Sequence, residues 1–241
     1  MTVGHAIAAG WRSRQPRQQH LLGLVRELGE HARAATPVEA AEAGDLVVAS
    51  IPLQAYRELP ARARVGKTDI DTMNYYPEHT GRIAELDAGT LTSSALVKRH
   101  LAESHVVKAF NSIDFLRLFS LARPPDSSDR SALPIAGDDP TAKGQAAQPL
   151  DTLGYDAVDV GTLAQSWRSE PGTPVYVQPY LPALPNGLSA EEQQTWFFNA
   201  EGVPVPAYRL NQLARTAVRL IPGNAPGASR GSRRLRFPHR F

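Results

Sequence analysis

The amino-acid sequence predicts an α/β protein built on a doubly wound, mostly parallel β-sheet. Short apolar runs rich in Val and Ile recur between residues 45 and 160, and they are continuous rather than alternating. Continuous apolar character indicates strands that are covered on both faces. Stretches with helical patterns separate these runs, and this alternation is typical of a parallel sheet with right-handed crossovers. Five strands are predicted, over Asp45–Ile51, Lys67–Thr72, His105–Ala109, Leu133–Ala136 and Asp156–Val160.

The intervening stretches carry helix signals. Thr36 has the spacing of a capping box, because Pro37 stands in the first turn and Glu39 follows three residues after Thr36. Acidic residues precede Pro140 and favour the start of a helix there. Helices are therefore predicted over Leu21–His31, from Thr36, over Thr92–Ser104 and over Pro140–Leu153.

The composition changes after Ser169. The stretch from Glu170 to Leu210 contains seven prolines and several aromatic residues. We interpret residues 169–221 as an ordered, irregular C-terminal extension that packs on the sheet domain of residues 1–168. Ser189, with Glu192 three residues later, predicts a capped helix within the extension, and a last helix is predicted over Ala207–Leu220.

The last twenty residues form a basic tail. Residues 222–241 hold five arginines and no acidic residue, while the remainder has 21 basic and 24 acidic side chains, a net of −3. The tail is rich in Gly, Ser, Pro and Arg, so it is expected to be disordered. Clustered arginines can indicate nucleic-acid binding, but no basic surface with interleaved aromatic residues accompanies them. A solvated extension is the favoured interpretation, and a nucleic-acid partner is not expected.

Composition also excludes several classes of site. The chain has no cysteine, which excludes disulfides, thiolate catalysis and cysteine-ligated metal centres. The seven histidines show no HxxxH or HExxH spacing, so no metal site is expected. No apolar run is long enough to span a bilayer, and the N-terminus is a poor signal peptide. A cytoplasmic chain without a membrane partner is the expectation.

Several motifs stand in a recognisable order: SIP at 50–52, DIDTMNYYP at 69–77, VKAFNSI at 107–113, LPIAGDD at 133–139 and GTLAQSWR at 161–168. In this order and spacing they resemble the NADP oxidoreductase family that depends on coenzyme F-420, a 5-deazaflavin. The resemblance runs from about Leu21 to Leu220. Each motif is weak alone, whereas all of them in register are specific.

The resemblance implies a Rossmann-type NADP-binding domain and hydride transfer between NADP(H) and the deazaflavin. Such a step needs no general acid or base, because the cofactors supply the reactivity and the protein aligns the two rings. A flavin, an imine or a ferric chelate as acceptor is the enzymatic alternative. A catalytically impaired, Rossmann-derived binding module is the non-enzymatic one.

Candidate cofactor-binding residues follow the predicted strands, because ligands of doubly wound sheets bind beyond the carboxyl ends of the strands. The backbone of Ser50, Ile51 and Pro52 is expected to contact the phosphate and the nicotinamide ribose. Asn74 is a candidate hydrogen-bond partner of a ribose or carboxamide, and Tyr75 a candidate for stacking.

Asn111 and Gly137 are expected to face the same crevice. Among the candidates, a binding role is favoured most for Asn111, because an amide side chain at the carboxyl end of a strand has no obvious role in packing. Other polar residues keep two interpretations: Asp71 as a ligand or a turn former, and Lys108 as a functional charge or a side chain that extends to solvent. Asp138 and Asp139 are expected to cap the following helix, and Tyr76 is expected to pack.

The N-terminus departs from the family pattern. A dinucleotide fold of this kind should begin with an apolar strand and a glycine-rich turn, yet the chain begins MTVGHAIAAGW without GxGxxG. Ala6–Ala9 could be a remnant of the first helix. Ser13 and Arg14 resemble the pair that binds the 2′-phosphate of NADP, but too few residues precede them for the expected strand. We therefore expect a fold that lacks its first strand and glycine-rich loop, either through a truncated or frameshifted reading frame or in a degraded paralogue.

A homodimer is considered because the aromatic stretch Trp196–Phe198 could form an interface. Packing of the same stretch on the sheet is the favoured alternative.

Overall fold

A computed structural model describes residues 5–7, 23 and 25–219. The strands are β1 (His5–Ile7), β2 (Ala32–Ala34), β3 (Leu46–Ala49), β4 (Thr68–Asp71), β5 (His105–Lys108), β6 (Ala132–Gly137) and β7 (Asp156–Asp159). Five of them form one sheet in the order β3-β4-β5-β6-β7. Strands β3, β4 and β5 run parallel, β6 runs antiparallel to β5, and β7 runs parallel to β6. These are the five predicted strands, so the α/β fold with a mostly parallel sheet is confirmed.

Three helices begin at predicted capping residues. Thr36 and Glu39 form the predicted capping box, Ser189 and Glu192 form a second one, and the Asp139 side chain accepts from the Ala142 backbone N–H at 2.8 Å. Asp138 is not one of the caps, because its side chain accepts from the Leu163 N–H at 2.9 Å. The α-helices are α1 (Pro37–Ala43), α2 (Pro77–Thr80), α3 (Ala84–Asp87), α4 (Ser93–His100), α5 (Phe115–Ser120), α6 (Pro140–Thr152), α7 (Ala190–Asn199) and α8 (Ala207–Thr216). Short 3₁₀ helices span Gly29–His31, Leu53–Glu58, Ala61–Arg64, Leu163–Ser169 and Gln178–Tyr180.

The central strands β4, β5 and β6 are buried on both faces, as the continuous apolar strands predict, while β3 and β7 are partly exposed. Successive side chains of a strand point to opposite faces, and Val106 and Val107 of β5 accordingly belong to two different core clusters. Val106 packs with Leu96 and Val97 of α4. Val107 lies in the cluster that contains the buried residues of α6 and α8. No helix within the described ranges is long and apolar enough to cross a membrane.

A short strand lies near the N-terminus, outside the five-stranded sheet, and the expectation that the larger sheet lacks its first strand stays a prediction. His5–Ile7 forms β1, which pairs in parallel with Ala32–Ala34. The expected helix remnant over Ala6–Ala9 is therefore wrong at Ala6 and Ile7. The small sheet of β1 and β2 is separate from the five-stranded sheet, so β3 is an edge strand of the larger sheet among the described residues.

The segment after Ser169 packs on the same core. Val175, Tyr180, Val205 and Leu210 belong to the cluster that contains β5 and β6. The backbone N–H of Ala132, at the start of β6, donates to the Val205 carbonyl at 2.7 Å. The segment thus shares the main hydrophobic core, while a division at residue 168 stays a prediction. The basic tail from residue 222 onward lies outside the described residues.

Gly154 gives a stability prediction, because its backbone has φ +94° and a Cβ there would lie 2.6 Å from the Arg123 backbone nitrogen. Gly154→Ala should therefore lower the free energy of unfolding by about 2–4 kcal/mol, combining left-handed strain with displacement of backbone. Urea denaturation measures the change.

Gly144→Ala is the matched control, since Gly144 lies in α6 and a Cβ there meets nothing within 4 Å. Alanine in a helix interior should leave stability unchanged or raise it by about 0.5–1 kcal/mol. Equal effects of the two substitutions would contradict the conformation assigned to Gly154.

Candidate functional site

The carboxyl ends of β3, β4 and β5 meet at one edge of the sheet, because the three strands run parallel and in register. We call this the C-terminal edge. Ser50–Pro52 follow β3, Asn74 and Tyr75 follow β4, and Asn111 follows β5. The structure therefore brings these predicted site residues to the C-terminal edge.

Gly137 lies inside the sheet, paired with Val107 of β5, and its predicted place at the cofactor site stays a prediction. Strand β6 is antiparallel to β5, and Gly137 pairs with Val107 while Ala136 pairs with Lys108. The carboxyl end of β6 therefore lies towards the amino end of β5, where His105 Nδ1 is 3.2 Å from an Asp139 carboxylate oxygen.

Packing explains the glycine at this position. A Cβ at Gly137 would lie 3.2 Å from side-chain carbons of both Lys143 and Val107. The glycine thus lets α6 approach β5 and β6 closely.

The two residues predicted to bind the 2′-phosphate, Ser13 and Arg14, lie outside the described residues. Their role stays a prediction.

The turn after β3 is the accessible part of the C-terminal edge. Ser50 and Pro52 are exposed, and no hydrogen bond of the Ser50 side chain is found among residues 25–219. Ile51 is half-buried and packs against the cluster that contains Leu53 and Met73. The turn is anchored by Ile51 and presents the Ser50 hydroxyl to solvent.

Asn74 and Asn111 bond to each other beneath this edge. Asn74 Nδ2 donates to the Asn111 carbonyl at 2.9 Å, and Asn111 Nδ2 donates to Asn74 Oδ1 at 3.1 Å. Asn111 Nδ2 also donates to the Ser169 carbonyl at 2.7 Å. Asn111 is 4% exposed, so its amide is used in internal hydrogen bonds. Its position in the sequence does not indicate this structural role. The amide ties the ends of β4 and β5 to the start of the C-terminal segment.

Backbone strain accompanies Asn111. The preceding residue, Phe110, has φ 61°, and Val177 has φ 53°. A positive φ costs a residue with a Cβ about 1–3 kcal/mol, so surrounding contacts must hold both conformations. One such contact is the hydrogen bond that the Val177 N–H donates to the Ser112 carbonyl, at 2.7 Å.

Tyr75 and Tyr76 fix the chain that follows β4. The Tyr75 hydroxyl donates to Asp87 Oδ1 at 2.9 Å and accepts from the Ile83 N–H at 2.8 Å. Tyr76 packs with Leu181 and Phe197, and its hydroxyl is hydrogen-bonded to the Tyr176 hydroxyl. Burial raises the pKa of Tyr76, Tyr75 and Tyr176, so all three hydroxyls stay protonated at neutral pH. The packing interpretation of Tyr76 is confirmed.

A buried ion pair joins the carboxyl ends of β4 and β5. Lys108 and Asp71 are both fully buried, with Nζ 3.5 Å from Oδ2. Lys108 therefore does not extend to solvent. Asp71 Oδ1 accepts from the Met73 N–H at 2.8 Å, which is the turn-forming contact expected of an aspartate. The ion pair itself is a feature that neither residue's local sequence predicts.

A second buried ion pair lies at the other end of β4. Asp69 is hydrogen-bonded to Arg64, and the two side chains are 0% and 5% exposed. Desolvation raises the pKa of Asp69 to about 6, the Arg64 cation opposes the rise, and Asp71 adds to it. Strand β4 thus carries two buried carboxylates on one face, each with its own cation. Within residues 25–219 no group of His, Asp and Glu side chains could hold a metal ion.

Comparisons with known proteins bear on the fold. No family model matches the sequence. The chain is 40% identical over 53 residues to the protein YjhV of Escherichia coli (strain K12), a match that covers 22% of this chain and 39% of YjhV. The chain thus spans well under half of that relative.

Two crystal structures are similar over most of the chain. A hypothetical protein, SMa0349, from Sinorhizobium meliloti is 26% identical, with a TM-score of 0.57 over 73% of this chain and 82% of that one. A protein from Arthrobacter sp. FB24, provisionally named an F420-dependent NADP reductase, is 19% identical, with a TM-score of 0.53 over 67% and 75%. These similarities show a Rossmann-like α/β fold.

The raised pKa of Asp69 predicts a pH dependence of stability. The folded protein binds this proton more tightly than the unfolded chain, whose value is near 3.8. The resulting stability is fully present below about pH 4 and is lost as the pH rises through about 6. At about 1.4 kcal/mol for each pH unit between the two values, the wild type should lose about 3 kcal/mol relative to Asp69→Asn.

Urea denaturation between about pH 4 and pH 7 measures this difference. Asp45→Asn is the control, because the Asp45 side chain is exposed and has no hydrogen bond or ion pair among the described residues, so the substitution should leave the wild-type pH dependence unchanged. The same pH dependence in Asp69→Asn as in the wild type would contradict the assignment to Asp69.

Proposed function

We propose that this chain is an NADP-linked oxidoreductase that binds NADP(H) at the C-terminal edge of β3, β4 and β5. The observation that carries the proposal is the convergence of three motif segments, which begin at Ser50, Asp69 and Val107, on one edge of the sheet. Doubly wound sheets bind ligands beyond the carboxyl ends of their strands.

The residues at this edge suit one part of a dinucleotide. The exposed Ser50 hydroxyl and the backbone at Ile51 and Pro52 would contact the ribose and phosphate nearest the nicotinamide. Asn74 is half-buried and lies where it would meet the carboxamide or the ribose. The Asn74 side chain already uses Oδ1 and one N–H of Nδ2 in hydrogen bonds with Asn111. It therefore has few hydrogen-bonding groups left for the ligand.

The remaining site residues have supporting roles in this proposal. Asn111 would hold Asn74, and Tyr75 would hold the loop that ends at Asp87. When bound, the nicotinamide ring supplies hydride chemistry, and the chain's part is to orient the ring and exclude water. Ser13 and Arg14 would bind the 2′-phosphate of NADP(H).

We further propose that the hydride acceptor is a deazaflavin of the F-420 type. Two things support this acceptor: the order of the motifs along the sequence, and the fold shared with the Arthrobacter protein of that provisional name. A flavin, an imine or a ferric chelate fits the same sheet and is the enzymatic alternative.

A cofactor-free binding module is the second candidate. One observation favours it: Asn111, the residue with the strongest sequence case for ligand binding, is 4% exposed and spends its amide on internal bonds. The NADPH titration below separates the two candidates.

Ser50→Trp should weaken NADPH binding by about tenfold or more, equivalent to about 1.4 kcal/mol, because an indole at the exposed turn after β3 would occupy the ligand's volume. Isothermal titration of the purified 241-residue chain measures the affinity. Ala102→Trp is the matched control, since exposed Ala102 lies just before β5, at the opposite edge. Wild-type protein that binds no NADPH would refute the enzymatic proposal and favour the binding module.

The acceptor is tested by turnover. With NADPH as donor, the wild type is expected to reduce the deazaflavin, followed by loss of its visible absorbance, faster than it reduces free flavin, an imine or a ferric chelate. Ser50→Trp should lower this rate because the donor binds less, and Ala102→Trp should not. Faster turnover with any of the other acceptors would reassign the substrate while leaving the NADP site in place.

A further inference from the structure

We infer that Lys108 and Asp71 are positioning residues for the NADP(H) site: they hold the loop 72–76 in the conformation that presents Asn74 at the C-terminal edge. The inference rests on the proposed function, and it assigns a role to a buried ion pair that the proposal does not otherwise use.

Met73 is the point at which the pair acts. Its backbone N–H donates to Asp71 Oδ1 at 2.8 Å, and its carbonyl accepts from Lys108 Nζ. Both polar groups of one residue are therefore bound by the two members of the ion pair. Because Asn74 is the next residue, the peptide that leads into it is fixed.

The pair is itself held by the start of α4. Ser94 Oγ donates to Asp71 Oδ2 at 2.6 Å, and Lys108 Nζ donates to Ser93 Oγ at 3.1 Å. Ser93 in turn donates from its backbone N–H and its hydroxyl to a Glu170 carboxylate oxygen, at 3.0 and 2.7 Å. The ammonium group of Lys108 thus contacts three partners, and the network reaches β4, β5, α4 and the C-terminal segment.

Burial makes this arrangement hard to replace. Lys108, Asp71 and Ser94 are each 0% exposed, and Met73 is 2% exposed. Without the cation, the Asp71 carboxylate would be buried and uncompensated, and the Met73 carbonyl would lose its donor. The loop must then move to let water reach these groups, and Asn74 would move with it.

The second ion pair on β4 supplies a matched comparison. Arg64 and Asp69 are buried to a similar extent as Lys108 and Asp71, but they lie towards the amino end of the strand, away from the loop. Removing either cation leaves a buried carboxylate on the same strand. Only removal of Lys108 should change the loop that carries Asn74.

The test compares Lys108→Met with Arg64→Met in the full chain. Lys108→Met should raise the NADPH dissociation constant about tenfold or more, while Arg64→Met should change it less than about twofold. Amide hydrogen exchange without ligand should become faster at residues 73–76 in Lys108→Met and stay at the wild-type rate there in Arg64→Met.

Each other outcome is decisive. If wild-type protein binds no NADPH, the proposed function fails and this inference fails with it. If the wild type binds and Lys108→Met binds equally well, or if both variants weaken binding alike, the proposed function stands and the positioning role is refuted. Should Lys108→Met not fold, Asp71→Asn replaces it: weakened NADPH binding with faster exchange at 73–76 supports the role, and wild-type values overturn it.

Discussion

The buried contact between the Lys108 ammonium and the Asp71 carboxylate is the interaction on which the C-terminal edge of the sheet depends. Neither charge reaches water, so each must be neutralised and hydrogen-bonded within the protein. The partners that do this come from the loop after β4 and from the first turn of α4. The loop after β4 and the first turn of α4 are therefore fixed relative to each other, and this fixes the C-terminal edge between them.

The reversal of β6 is the second constraint. Because β6 and β7 run against the first three strands of the sheet, the two edges of the sheet carry different residues. The edge with Ser50, Asn74 and Asn111 faces the proposed dinucleotide. The other edge carries Asp139, which caps α6, and Gly137 lies inside the sheet, where it lets α6 pack closely.

Much of the fold could be predicted because its signals are local. The five strands appear as short apolar runs, and the helix starts at Thr36 and Ser189 follow from residues three positions apart. The direction of a strand has no such signal. Its residues look alike in either orientation, so the reversal of β6 relative to β5 has no sequence signal.

The site was only partly predictable, for a similar reason. That Asn111 follows β5 can be seen in the sequence, but its burial depends on Asn74 and Ser169, which are 37 and 58 residues away. Lys108 left two interpretations open, because the partner that decides between them, Asp71, lies on another strand. The short strand His5–Ile7 could not be predicted, because three residues are too few to show an apolar run.

The central claim is that the dinucleotide binds at the C-terminal edge of β3, β4 and β5. A crystal structure of the chain with NADP⁺ tests it most directly. The claim predicts the nicotinamide half of the ligand within hydrogen-bonding distance of Ser50–Pro52 and Asn74. A ligand bound beside Asp139 at the opposite edge, or density for none at saturating NADP⁺, would contradict it.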